Sequence, residues 1–60
     1  MKENLTKAAQ TADLLFQDIR EAHKISIAAS DWAAEMLISD MLKTVAEMRS
    51  RLELAATSAP

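Results

Sequence analysis

The fold is decided by the stretch His23-Lys24-Ile25-Ser26-Ile27-Ala28-Ala29-Ser30-Asp31, because the chain on either side of it has the pattern of a helix. Arg20 and Lys24 place positive charge near the start of this stretch, where the negative end of a first helix favours cations. Asp31 and Glu35 place negative charge near its end, where the positive end of a second helix favours anions. The charges therefore predict that one helix ends and another begins here.

The residues inside the stretch agree with a reversal of the chain. Ile25, Ser26 and Ile27 are mediocre helix formers, since two of them are β-branched and one is a serine. Ser30 is a good N-cap residue, because its hydroxyl can accept a hydrogen bond from a free backbone N–H. We therefore predict a single all-α helical hairpin, with helix 1 at about 4–24, a turn at about 25–30, helix 2 at about 31–56 and a frayed tail at 57–60.

One continuous helix is the alternative architecture. Ala28 and Ala29 favour helix, and the stretch contains neither glycine nor proline. The apolar stripes on the two sides differ in phase by only about 60° on a wheel that turns about 100° per residue. A straight helix with a drifting stripe therefore competes with the hairpin.

The hairpin is expected to associate with a second copy. Apolar residues recur at helical spacing and cover about 140° of each helix, which is more than a single neighbouring helix can bury. Two hairpins packed as a four-helix bundle would supply a second neighbour, and two-fold symmetry is the commonest arrangement. The stripe of helix 1 contains Leu5, Ala8, Ala9, Ala12, Leu15, Phe16, Ile19 and Ala22, and the stripe of helix 2 contains Ala34, Leu37, Ile38, Met41, Leu42, Val45, Met48, Leu52, Ala55 and Ala56.

Length and composition lead to the same expectation. A chain of 60 residues buries only about 60% of its unfolded surface, and small domains usually need a disulfide, a metal or a partner subunit. The chain has no cysteine, which excludes disulfides, thiolate metal sites and thiol nucleophiles. No apolar run approaches the roughly 20 residues of a membrane span, so we expect a cytoplasmic protein without membrane contact.

Five apolar residues that depart from the stripes or lie in the turn are candidates for binding a protein partner. Trp32 and Met36 are four residues apart on helix 2 and project away from its stripe, and tryptophan and methionine are enriched in interface cores. The alternative is that Trp32 folds over the turn and covers neighbouring isoleucines as a minor core. The candidate residues are Trp32, Met36, Ile25, Ile27 and Leu14.

His23 is the single histidine, and any histidine-based chemistry would have to use it. A metal site is disfavoured, because Arg20 occupies the place where a metal-binding Glu-x-x-His pair needs glutamate. We expect instead a half-buried side chain that forms a hydrogen bond with Ser26 or a loop carbonyl. No carboxylate lies inside an apolar stripe, where burial could prepare it for acid or base catalysis. We therefore expect neither catalysis, nor a metal, nor a cofactor.

The charges disfavour nucleic acid as a partner. The net charge is -2, and the basic residues Lys2, Lys7, Arg49 and Arg51 at the open end of the hairpin are interspersed with glutamates. In length and layout the chain resembles the short helical-hairpin dimers, of which the plasmid RNA-binding protein Rop is the best known, but it matches no Rop motif. We expect a regulatory or adaptor module that binds a protein, with RNA binding or a subunit role in a larger coiled coil as alternatives.

Overall fold

The computed structural model describes residues 1–59, which form two antiparallel α-helices. Helix α1 comprises Lys2–Ala28 and helix α2 comprises Trp32–Ser58, and the two helices pack along their length. The Cα atoms extend over 47 × 14 × 10 Å, as expected for 27-residue helices of about 40 Å laid side by side. The predicted all-α hairpin is confirmed, and the alternative of one continuous helix is wrong.

The turn is shorter and later than the predicted 25–30, because α1 continues to Ala28 rather than to about residue 24. The N–H of Asp31 donates to the carbonyl of Ser26, and the N–H of Ser30 donates to the carbonyl of Ile27, both at 3.0 Å. Ser30 has a φ of 56°, in the left-handed region. These features define a Schellman motif, in which a left-handed residue ends the helix and its last carbonyls are satisfied. Hydrogen bonding thus keeps Ile25, Ser26 and Ile27 helical despite their modest propensity.

Helix α2 is capped by Asp31, not by Ser30 as the sequence suggested. The Asp31 carboxylate accepts a hydrogen bond from the N–H of Ala34 at 3.1 Å. Ser30 is committed to the left-handed position that ends α1, so the capping role passes to the next residue. Asp31 also places negative charge at the helix N-terminus, which the dipole favours.

Both helices also extend beyond their predicted outer ends. Helix α1 begins at Lys2 rather than near residue 4, after Met1, which makes no side-chain capping bond. Helix α2 continues through Thr57 and Ser58, which were expected to fray. Ala59 is extended, with a ψ of 142°, because a residue that precedes proline is disfavoured in the α region. The last position of the predicted tail, Pro60, lies outside the described residues.

The two helices meet along a seam of buried and half-buried residues spaced alternately three and four apart. This is the heptad spacing of a coiled coil, in which one narrow stripe of each helix faces the other. The seam residues are Leu5, Ala9, Ala12, Phe16, Ile19, His23 and Ser26 of α1, and Glu35, Ile38, Leu42, Val45, Arg49, Leu52 and Ala56 of α2, followed by Ala59 after the end of that helix.

The core of a single hairpin is thin. The buried apolar residues are Ala9, Ala12, Val45 and Ala56, and no large side chain of residues 1–59 is fully buried. The accessible surface is 4637 Å², whereas a compact monomer of this mass exposes roughly 3900 Å². The seam therefore leaves much of the predicted apolar stripes uncovered.

Candidate interaction surfaces

The seam divides the hairpin surface into two unlike faces. On each helix, the residues directly before every second seam position form one row, and the residues directly after the remaining seam positions form another. In an antiparallel pair, the corresponding rows of the two helices lie on the same side of the seam. The apolar face is the side formed by Ala8, Leu15 and Ala22 of α1 with Ala34, Met41, Met48 and Ala55 of α2. The polar face is the opposite side, formed by Thr6, Asp13, Arg20 and Ile27 of α1 with Trp32, Ser39, Ala46 and Glu53 of α2.

The apolar face carries no charged residue in either row and is open to solvent. Its long side chains, Leu15, Met41 and Met48, are 46% to 47% exposed. Leu15 and Met41, together with seam residues Ile19 and Val45, line a groove of about 460 Å³, which Asp40 and Thr44 border on the outer side of α2. Two rows without charge along a hairpin are typical of an interaction surface.

The outcome for the predicted dimer and core residues follows from this division. Most of them lie in the seam, but four lie outside it and are exposed in the single hairpin. Leu15, Met41 and Met48 lie on the apolar face, and Leu37 lies at its border. Each predicted apolar stripe therefore has two parts, which are seam residues covered by the other helix and residues of the apolar face that remain exposed to solvent.

The polar face is crossed by an ion pair between the helices. An Nη1 of Arg49 donates to Oδ1 of Asp13 at 2.9 Å, and Gln17 donates to the other oxygen of the same carboxylate at 3.1 Å. The Arg49 guanidinium also lies 4.5 Å from the centroid of the Phe16 ring. The cation thus occupies a seam position while its charge is satisfied at the polar side.

The turn-end patch, defined as Trp32, Met36 and Ile27, is the apolar part of the polar side. Trp32 is 71% exposed, and the other two side chains are about half exposed. Trp32 and Met36 line a shallow depression of about 250 Å³ with Glu35, Ser39 and Asp40. The depression therefore combines an aromatic and a thioether surface with two carboxylates.

The other two candidate binding residues lie elsewhere. Ile25 projects on the opposite side of α1 from Ile27 and borders the apolar face. Leu14 is on the outward side of α1, about 20 Å from the turn along the helix axis. Trp32 is too exposed to be a covered minor core in the single hairpin, so the structure separates the five candidates into three locations.

His23 is half-buried in the seam near the turn, as expected. The hydrogen bond with Ser26 differs from the expected one, because the Ser26 hydroxyl donates to the main-chain carbonyl of His23 at 2.7 Å rather than engaging the imidazole. Ser26 is itself a buried seam residue, and this bond satisfies its hydroxyl. Within residues 1–59, no three histidine or acidic side chains are grouped as a metal site would require.

The basic residues of the open end do not form a uniform cationic surface. Arg49 is engaged by Asp13, and Lys2 and Lys7 line a groove that also contains Glu3. Neither described helix is long and apolar enough to cross a membrane.

Comparison of the chain with protein-family models, with curated proteins and with solved structures gave no match. The surfaces themselves are therefore the basis for any functional argument.

The division into two faces was missed in the sequence because each stripe was treated as one surface. The alternate spacing of three and four residues from Leu5 to Ile19 was the available signal, since it separates a seam from the row beside it. In α2 the same spacing runs through Arg49, a charged residue that hides the heptad from an apolar count.

Proposed function

We propose that this chain is a non-catalytic protein-association module. It pairs with a second copy through the apolar face to form a four-helix bundle, and it binds a protein partner through the turn-end patch. The observation that carries the proposal is the apolar face, whose two rows contain no charge while their longest side chains remain about half exposed.

The accessible surface of the whole hairpin supports pairing. The hairpin exposes roughly 700 Å² more than a compact monomer of its mass, and each partner in a standard protein interface buries about 800 Å². Covering this face would give each helix a second neighbour and would bury Leu15, Met41 and Met48. Burial of a leucine or methionine side chain contributes about 1.5–3 kcal/mol.

The mass in solution tests the pairing. Sedimentation equilibrium over a dilution series should give twice the chain mass of 6.6 kDa, with dissociation at the lowest concentrations. Met41→Lys places a charge in the apolar face and should give a monomer. Ser50→Lys adds the same charge at an exposed position away from that face and should remain dimeric. A helical wild-type protein that stays monomeric at every concentration would refute the proposal.

The second part of the proposal concerns the turn-end patch. Pairing through the apolar face leaves the opposite side accessible, so Trp32 and Met36 stay available in the dimer. Their depression is bordered by Glu35 and Asp40. We therefore expect a partner segment with an apolar side chain next to lysine or arginine, because this combines apolar contact with charge complementarity.

Trp32 is the only tryptophan, so its fluorescence reports on this site directly. Titration with amphipathic basic peptides should shift its emission to shorter wavelength, and Asp40→Asn should weaken the binding. Affinity capture from cell extract should lose the partner with Trp32→Ala and retain it with Leu54→Ala, which removes an equally exposed apolar residue far from the patch. Equal capture by both variants would exclude the turn-end patch.

A further inference from the structure

We propose that the two hairpins of the dimer pack with their turns at the same end, so that α1 of each copy lies against α2 of the other. This inference rests on the proposed dimer and specifies its orientation. The occupant of the apolar face is a second copy, because the two rows of this face carry no charge and the hairpin exposes roughly 700 Å² more than a compact monomer of its mass, which is close to the 800 Å² that each partner of a standard interface buries.

Two symmetric arrangements can bring the apolar faces of two antiparallel hairpins together. If the two-fold axis is parallel to the helices, the turns lie together and α1 faces α2 of the second copy. If the axis is perpendicular to the helices, the turns lie at opposite ends and each helix faces its own counterpart. Either arrangement is isologous, meaning that both copies contribute the same face.

The central rows of the face are compatible with both arrangements. Residues equally distant from Ser30 lie at the same height, so Leu15 is level with the space between Met41 and Met48. With the turns together, Leu15 packs between these methionines of the second copy. With the turns apart, Leu15 meets its own counterpart and Met41 meets Met48 of the second copy.

The apolar face is flanked on the outer side of each helix by one further row of residues, and these two border rows distinguish the two arrangements. These rows are polar along most of the hairpin and apolar only at the turn end, where Ile25 and Leu37 are 63% and 67% exposed. The polar border residues are Asn4, Thr11 and Asp18 of α1 with Thr44, Arg51 and Ser58 of α2.

Ile25 and Leu37 lie at nearly the same height, on opposite helices. A two-fold axis parallel to the helices preserves height, so it places Ile25 of one copy against Leu37 of the other, and it does so twice. A perpendicular axis through the centre of the face would instead place Ile25 near Asn4 and Leu37 near Arg51 of the second copy. The apolar pairs form only with the turns together, which decides the orientation.

This orientation has a consequence for partner binding. The two turn-end patches lie at one end of the dimer, on opposite outer sides, because each patch is on the side away from the apolar face. The dimer therefore presents two Trp32 side chains at the same end and could engage a two-fold or bivalent partner there.

Disulfide cross-linking tests the orientation, and the chain has no cysteine of its own to interfere. An equilibrated mixture of Ile25→Cys and Leu37→Cys chains should give a covalent dimer on oxidation, whereas either variant alone should not. The β-carbons of disulfide-bonded cysteines are about 3.5–4.5 Å apart, so the reaction requires direct adjacency. Leu15→Cys alone, and a mixture of Ile25→Cys with Asn4→Cys, would cross-link only with the turns apart.

Sedimentation of the same variants before oxidation tests the existence of the dimer separately from its orientation. A dimer that cross-links through Leu15→Cys, or that gives no covalent product in the Ile25→Cys and Leu37→Cys mixture, overturns the orientation and leaves the dimer intact. A monomer of wild-type protein overturns both.

Discussion

Arg49 and Asp13 join the two helices across the seam, with 2.9 Å between guanidinium nitrogen and carboxylate oxygen. The two residues are 36 positions apart in sequence, so the pair fixes the register of α2 against α1. The guanidinium also lies over the ring of Phe16, which combines a charge-assisted hydrogen bond with a cation–π contact. The register of a hairpin with a thin core is thus specified in part by one directional contact.

We expect a measurable coupling energy between Arg49 and Asp13. In a double-mutant cycle with Asp13→Ala and Arg49→Ala, the interaction should contribute about 0.5–1 kcal/mol to the free energy of unfolding, because Arg49 is largely shielded from water by the seam. Arg49→Ala alone should cost more than Asp13→Ala, since it also removes the contact with Phe16. Urea denaturation at a fixed protein concentration measures all four variants.

The exposed pair Glu21 and Lys24 provides the control cycle. These residues are 4.0 Å apart and mostly exposed, so their coupling should be close to zero. Equal coupling energies for the two pairs would show that the position of Arg49 in the seam has no energetic consequence.

How much of this structure was predictable is clearest at the turn. The reversal of the chain was foreseen partly for a correct reason, because Asp31 and Glu35 carry the negative charge that the start of α2 favours. The matching argument for Lys24 was wrong, because α1 continues to Ala28 and its last turn contains no basic residue. The exact bounds of the turn were not foreseen, because the hydroxyl of Ser30 made this residue look like the N-cap of helix 2. A positive φ at a serine carries a steric cost that no local sequence signal indicates, and the helix accepts it here for two backbone hydrogen bonds.

The surfaces were predictable to a similar degree. Helical spacing identified the apolar residues of both helices, including Leu15 and Met41. It could not say which of them the hairpin itself covers, because the width of the seam depends on how closely the helices approach. The small residues Ala9 and Ala12 permit a close approach of the helices. The covered seam is therefore narrow, and the row that contains Leu15 stays exposed.

The left-handed serine predicts a stabilising substitution. Ser30→Gly should raise the free energy of unfolding by about 0.5–1 kcal/mol, since glycine adopts a positive φ without the clash of a β-carbon. Thermal unfolding followed by circular dichroism measures the change. Ala29→Gly is the matched control, because Ala29 has a φ of -83° and glycine there should give no gain. Stabilisation by the control, or destabilisation by Ser30→Gly, would contradict the assigned role of Ser30.

Loss of the helix cap predicts a destabilising substitution. Asp31→Ala removes the carboxylate that accepts from the N–H of Ala34 and should cost about 1 kcal/mol. Asp31→Asn should retain most of the stability, because its amide oxygen can accept the same bond. Asp40→Ala, at an exposed position inside α2, should change the unfolding midpoint little. A similar loss for Asp31→Ala and Asp40→Ala would indicate a general charge effect rather than capping.

Ala12 tests whether the close approach of the helices sets the shape of the hairpin. Its side chain is 6% exposed in the seam, so Ala12→Leu adds volume at a position that is already packed and should destabilise the protein by about 1–3 kcal/mol. Ala33→Leu adds the same volume at an exposed position and should be nearly neutral. Because the proposed pairing of copies would also contribute to stability, both variants should be compared with wild type at the same concentration and with their masses measured. If Ala12→Leu were instead stabilising, the helices would have room to spare at Ala12, and the small residues could not be the reason that Leu15 and the methionines are left uncovered.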